Sequence, residues 1–336
     1  MPFELIPPGT NIDFIGKRYL CAGISVALLL AGLLAIPLRG VRLGIDFAGG
    51  TEVQIRFTEG AEIDAGAIRK VVDECGIVDA SVVRFGELGS RDYLIRFRAG
   101  AAGDETAATQ GCPLNAEDAQ KLAAAQAALG DSDDGSNLQV QRLGFALTNA
   151  VGPLQVERVE FVGARVGSDL RRAAFYSLGI ASLLILIYIG FRFSAGFAPG
   201  AVVALFHDML IVAGIFVVMG WQFDLTVLAA LLTIMGYSLN DTIVIYDRIR
   251  ENLSLHTKYD LIDVLNRSVN QTLSRTILTG GTTFFSCIGL MILGGPVVRP
   301  FAYAMAIGIV VGTFSSIYVA APILLYLERR QGTARA

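Results

Sequence analysis

A chain of 336 residues that is 53% hydrophobic and only 17% charged, with a mean hydropathy of +0.56, is neither an ordinary water-soluble globule nor a disordered polymer. The net charge of -3 is paired with Lys and Arg that are scattered or gathered at the ends of apolar runs, which excludes a basic face for nucleic acid. What remains is a polytopic α-helical membrane protein.

The chain opens with a leader over residues 1–18 that contains Pro7 and Pro8. The first apolar run, 19–38, lacks a small-residue cleavage site and reads as a retained transmembrane span. Residues 39–170 differ sharply: they hold 20 of the 30 acidic and 13 of the 27 basic residues, as a soluble domain would. That domain begins with GIDFAGG. Its Gly44, Asp46, Phe47, Gly49 and Gly50 do not suit a phosphate loop, because a strand rather than a helix N-terminus follows. They read as a structural turn that aligns the first strand, capped by Asp46.

Polar–apolar alternation predicts strands over 52–57, 80–85, 93–97 and 154–162, with a turn near Gly89 and Ser90 between the second and third. Amphipathic helices are expected over 62–75 and 138–150. The order β-α-β-β-α-β points to an α+β ferredoxin-like domain. An Ala/Gly/Asp-rich insert over 99–137, with a short helix at 116–129, has the composition of a mobile excursion and no Ca²⁺-loop spacing. Cys75 and Cys112 fall in the soluble block, either bridged if it faces an oxidising compartment or unpaired and partly buried. Cys21 and Cys287 fall inside spans.

Five further spans are expected at 171–191, 199–219, 225–246, 276–294 and 301–327, followed by a tail over 328–336. Near the span ends, Lys17, Arg18, Arg192, Arg248, Arg250, Lys258, Arg267, Arg275, Arg329, Arg330 and Arg335 fall on the side of the termini. Only Arg39, Arg42, Arg171, Arg172 and Arg299 oppose them. That bias places both termini in the cytoplasm and sends the soluble domain outside. The polar stretch 248–274 carries Leu261, Ile262, Leu265 and Val269 at helical spacing, as a helix lying along the cytoplasmic interface would. It is either a plain connector or a docking surface.

The chemistry centres on GYSLNDTIVIYDRIREN, residues 236–252. Asp241 lies in an apolar run that starts near Leu225, at about 24 Å into a hydrocarbon core about 30 Å thick. An ionisable group there is costly, and Thr233, Tyr237, Asn240 and Asp241 share a helical stripe expected to face the bundle interior. On the next span Thr272, Arg275, Thr279, Thr282 and Ser286 recur at helical spacing, with Arg275 at the same membrane face as Asp241. The pair reads as a protonation switch in which the arginine contact depends on the charge of Asp241, the alternatives being a permanent ion pair or an arginine that snorkels to headgroups. His207 and Asp208, midway along the third span, either serve a proton path or satisfy neighbouring polar groups. They make no metal site, since the other histidine, His256, lies in a loop. No nucleophile constellation is present, so an enzyme is not expected. Gly308 and Gly312 suit close helix packing.

GIDFAGGTEVQIRF, VGARVGSDLRRAA, the His-Asp pair, GYSLNDTIVIYDRIREN, QTLSRTILTGGTT and GGPVVRPFA, in that order, resemble the SecF family of bacterial protein-export membrane proteins, within the RND superfamily. The resemblance implies a SecD partner, association with the SecYEG channel and YajC, and use of the proton-motive force in late, periplasmic-side export of unfolded preproteins. It implies no cofactor beyond protons as coupling ion, with Asp241 as the proton-responsive carboxylate and Arg275 as its partner. The short leader is expected to leave SecD on a separate chain. An RND-type small-molecule or lipid transporter half, or a non-coupling scaffold for SecD and the channel, are the competing readings.

Overall fold

The computed structural model describes residues 7, 10–58, 63–77, 80–85, 91–97, 112–129, 135–193, 196–255, 260–295 and 297–330. They fall into two compact units, Met1–Arg42 with Ala174–Ala336, and Leu43–Ala173.

In the second unit a one-turn helix α2 (Ile45–Ala48) leads into β1 (Gly50–Phe57), α3 (Ala65–Glu74), β2 (Ser81–Phe85), β3 (Asp92–Phe97), α4 (Ala116–Leu129), α5 (Gly135–Ala150) and β4 (Leu154–Val162). The described strands form an antiparallel sheet in the order β2-β3-β1-β4, the ferredoxin-like arrangement. Alternation does the sorting: Val53, Ile55 and Phe57 of β1 and Tyr93, Ile95 and Phe97 of β3 bury against Ile68 and Val72 of α3 and Leu143 and Leu147 of α5. Val53 stands opposite Ile95 on one side and Val159 on the other, and β1 carries an irregularity between Gln54 and Ile55. Cys75, at the C-terminal cap of α3, is disulfide-bonded to Cys112, so the alternative of two unpaired thiols is excluded. The predicted turn at Gly89 and Ser90, and residues 99–111 and 130–134 of the insert, lie outside the described residues, and the short helix expected at 116–129 is α4.

In the glycine-rich turn Gly44 occupies the N-cap of α2 and Asp46 sits in its first turn. Gly49 and Gly50 have φ of 76° and 137°, a region that side chains disfavour. A Cβ on Gly49 would meet the Ala164 backbone at 3.0 Å, and the Phe47 carbonyl accepts a hydrogen bond from Arg171. The turn is therefore a backbone-to-backbone joint between β1 and the chain leaving β4.

Among the described residues six helical segments are long and apolar enough to cross a membrane. They are α1 (Arg18–Arg39) with the 3₁₀ turn before it (Ile15–Lys17), α6 (Ala164–Arg192), α7 (Ala198–Met219), α8 (Leu225–Leu255), α9 (Leu261–Leu293), and a last span made of α10 (Arg299–Ser315), a π-helical segment (Ser316–Ala320) and α11 (Ala321–Arg330). The central layer is α7, α8 and the last span, and α1, α6 and α9 keep wide apolar faces exposed. Small residues set the closest approaches: Gly32 of α1 against Gly214 of α7, and Gly308 and Gly312 of α10 against Ile234 and Ser238 of α8.

Residues 248–274 do not form a separate interfacial helix. They are split between the end of α8 and the start of α9, which runs unbroken to Leu293. The physical reason is that Leu261, Leu265 and Val269 bury in one core with Ile245 and Ile249 of α8, so their apolar stripe meets another helix rather than headgroups. Polar contacts line the same seam, with Asn252 Nδ2 donating to Ser268 Oγ and Gln271 Oε1, both at 2.8 Å. The leader docks there as well. Asn266 Oδ1 accepts from the backbone of Phe14 and Ile15 at 3.0 and 2.9 Å, and its Nδ2 donates to Asp13.

Candidate functional site

Asp241 lies about two-thirds of the way along the apolar part of α8, and its Oδ1 accepts a hydrogen bond of 2.6 Å from Thr276 Oγ1 of α9. Its Oδ2 is buried with no hydrogen-bond partner among the described residues. Arg275 is exposed and forms no ion pair with Asp241. One residue turns a helix by about 100°, so Thr276 and Arg275 cannot face α8 together. The difference matters chemically. A threonine hydroxyl donates to a carboxylate and also accepts from a carboxylic acid, whereas a guanidinium only donates and pairs with the anion alone. Thr276 thus serves both protonation states, and Arg275 is the group able to distinguish them. Thr276 was not among the predicted residues, and the signal that would have found it is its position four residues after Thr272.

The stripe on α8 is not an interior stripe. Thr233 and Asn240 are exposed, Asp241 is half-buried, and Tyr237 is half-buried with a hydroxyl near Gly280 that has no hydrogen-bond partner among the described residues. On α9 Thr279, Thr282 and Ser286 are also exposed, and each hydroxyl bonds to the carbonyl one turn back, at 2.9, 2.9 and 3.0 Å. The interior expectation fails because the adjacent flank of α8, with Ala230, Ile234, Ser238 and Thr242, already takes up the packing against α7 and α10, which leaves Asp241 at its edge. A polar face therefore borders Asp241 on the outside of this chain.

That inner flank holds a second polar cluster. His207 Nδ1 lies 2.9 Å from Asp208 Oδ1, and Asp208 Oδ2 accepts from Ser238 of α8 and, at 2.8 Å, from Ser315 of α10. Thr242 and Ser316 are paired at 2.8 Å, and Tyr246 Oη donates to the Ala320 carbonyl at 3.0 Å. The two α8 side chains thus grip both ends of the π-helical segment, an element often found at functional positions. Gly200 makes this possible, since a Cβ there would stand 2.2 Å from Tyr246 Oη. Three or more metal-ligating side chains do not converge anywhere among the described residues.

Comparison with known proteins places this architecture. Residues 144–330 match the family described as "Protein export membrane protein SecD/SecF, C-terminal", and residues 34–61 match the "SecD/SecF GG Motif". The chain belongs to the SecD/SecF protein-export family. It is 40% identical to a protein translocase subunit SecF of Calditerrivibrio nitroreducens, with 97% of each chain covered. With the SecF subunit of Rhodobacter capsulatus it shares 38%, over 96% of this chain and 91% of that one. The crystal structure of SecDF from Thermus thermophilus, a translocon-associated membrane protein, superposes with a TM-score of 0.78 at 31% identity. A SecDF structure in the Super-membrane-facing form gives 0.65 at 32%. This chain is covered to 98% and 99% in those two comparisons but spans only 40% of either SecDF chain. The family match at 34–61 contains the joint at Gly49 and Gly50, and the match at 144–330 contains Asp241, Thr276 and the His207–Asp208 cluster.

Proposed function

We propose that this chain is a SecF-type subunit of the preprotein export machinery. In this reading it works with a SecD-type membrane partner to couple proton movement through Asp241 to late steps of export. The single observation that carries the reading is the open polar face around Asp241: Asn240 and Arg275 are exposed at membrane depth, where lipid cannot hydrogen-bond them, beside Thr233 and Thr279, whose hydroxyls bond back to their own helices. A helical partner with polar groups of its own is the occupant such a face requires, and the name SecDF of the solved relatives supports a SecD-type one. The membrane orientation proposed is termini in the cytoplasm and soluble unit in the periplasm, supported by the Lys/Arg bias and by a disulfide that needs an oxidising compartment.

The mechanism follows from the two contacts available to Asp241. Ionised, it attracts Arg275 toward the α8–α9 seam; protonated, it keeps the Thr276 bond and releases the guanidinium. A side chain switching between the seam and the open face changes what the partner meets there. On α8 the neighbouring Thr242 and Tyr246 hold the π-helical segment, so a shift of α8 is passed to the last span. SecYEG, YajC and an unfolded preprotein are proposed as further partners on family grounds.

The test is preprotein export into inverted vesicles that contain this chain and its SecD-type partner, with and without a proton gradient. Asp241→Asn, inserted and partnered normally, is expected to lose the gradient-dependent component while ATP-driven export remains. A wild-type response from Asp241→Asn overturns the coupling role and leaves a scaffold.

A further inference from the structure

A cavity of about 450 Å³ lies between α1, α7 and the last span. Arg18 and Arg329 line one part of it, Ala22, Val26, Val319 and Ile323 its apolar walls, and Ser25 and His207 lie deeper. Arg18 opens α1 and Arg329 is the next-to-last residue of α11. Successive spans alternate in direction, so the first begins, the third begins and the last ends at one membrane face. From that face Ser25 is about 10 Å along α1 and His207 about 14 Å along α7, similar depths reached from the same side.

Both deep groups are 6% exposed, and neither Ser25 Oγ nor His207 Nε2 has a hydrogen-bond partner among the described residues. Two such polar atoms at the inner end of a cavity with guanidiniums at its outer end form a site for water, which needs room and polar partners. On its other side the His207 ring touches Asp208, which holds Ser238, three residues before Asp241 on α8. A hydrogen-bonded line therefore runs from the cavity into the helix that carries Asp241.

We propose that the cavity is a water inlet from the face where α1 begins, and that His207 and Asp208 at its end are a second proton-binding pair serving α8. This rests on the proton-coupling reading above and adds the route by which that face exchanges protons. The step is a plain transfer: cavity water delivers a proton to His207 Nε2 while Nδ1–H passes its proton to Asp208 Oδ1, and the reverse sequence returns it. The other titratable groups that line this cavity are Arg18, Tyr19, Tyr318, Tyr326 and Arg329, with Cys21 next to them on α1 and Glu328 next to Arg329 on α11. Among the described side chains that line the cavity, the His207 imidazole is the one that also touches a buried carboxylate, which gives a proton taken from cavity water a place to go.

The test has two arms, both on the full chain. In a Cys21→Ala, Cys287→Ala background, Ser25→Cys is treated with a small charged thiosulfonate, which reacts only where water reaches the thiol. Labelling is expected in inverted vesicles and not in right-side-out ones, and Ile24→Cys, one residue along on the exposed side of α1, is expected to stay unlabelled. Failure of the Ser25→Cys chain to label from either side overturns the inlet. In the second arm His207→Asn keeps an N–H donor where Nδ1 stood, so the bond to Asp208 survives, but removes Nε2. Loss of gradient-dependent export, with normal insertion and partner binding, is expected. If His207→Asn retains that component while Asp241→Asn loses it, the inlet is wrong and the coupling reading stands; if both retain it, both fall.

Discussion

In the proposed mechanism Thr276 and Arg275 divide between them two tasks at Asp241, tolerance of both protonation states and discrimination between them. Thr276→Val removes the 2.6 Å bond to Asp241 and leaves a second oxygen unsatisfied beside the one already without a partner. The expected result is a chain less stable by about 1–3 kcal/mol in detergent unfolding. Gradient-dependent export is expected to fall as well, and Thr276→Ser is expected to restore both. Arg275→Gln separates the roles: stability is expected to change little, since Arg275 is exposed and makes no ion pair among the described residues, while the gradient response is lost. An unchanged gradient response in Arg275→Gln would mean that the arginine only meets headgroups.

At the scale of elements the fold depends on a few close contacts that one atom can disturb. Gly200 is the clearest. Its replacement by Ala brings a methyl to 2.2 Å from Tyr246 Oη and 2.8 Å from the Ala320 carbonyl, and is expected to cost about 1–3 kcal/mol. Tyr246→Phe, which loses one hydrogen bond, is expected to cost about 1 kcal/mol. Together the two changes are expected to cost less than their sum, because removing the hydroxyl makes room for the methyl; an additive result in thermal unfolding would show that the π-helical segment does not depend on this contact. The leader provides a pH-dependent case. The Gly16 backbone N–H, and then the Asn266 amide, hold the Asp13 carboxyl below its usual value. A depressed carboxylate stabilises above its unfolded pKa and loses that contribution as pH falls through the folded one. Release of the leader is therefore expected below about pH 4, read as faster proteolysis ahead of α1. Asn266→Ala is expected to release it at neutral pH.

Across the whole molecule, the two units rest on different kinds of stabilisation. The membrane unit relies on helix packing with small residues and buried hydroxyls, and the soluble unit on a compact two-layer core closed by a covalent link. Cys75 and Cys112 are 37 residues apart, and removing their bridge by Cys75→Ser with Cys112→Ser is expected to cost about 2–4 kcal/mol in the unfolding of that unit. The same double substitution is expected to leave the Asp241-dependent gradient response qualitatively intact, if the domain still folds at the assay temperature.

Hydropathy and period sufficed for the six spans and for the strand and helix order of the soluble domain, because burial in lipid or in a two-layer core imposes length and alternation that any reader of the chain can see. Asp241, His207 and Asp208 stood out for the same reason, as charges where charge is expensive. What the sequence could not supply was which neighbour each group would meet. Periodicity says that Leu261, Leu265 and Val269 share a face, but only tertiary packing decided that the face meets α8 instead of headgroups. It says that Thr233, Tyr237, Asn240 and Asp241 share a stripe, but the competition among flanks of α8 for the interior, settled by Gly308 and Gly312 opposite Ile234 and Ser238, turned that stripe outward. A helical wheel records angles within one helix, and partners are chosen between helices.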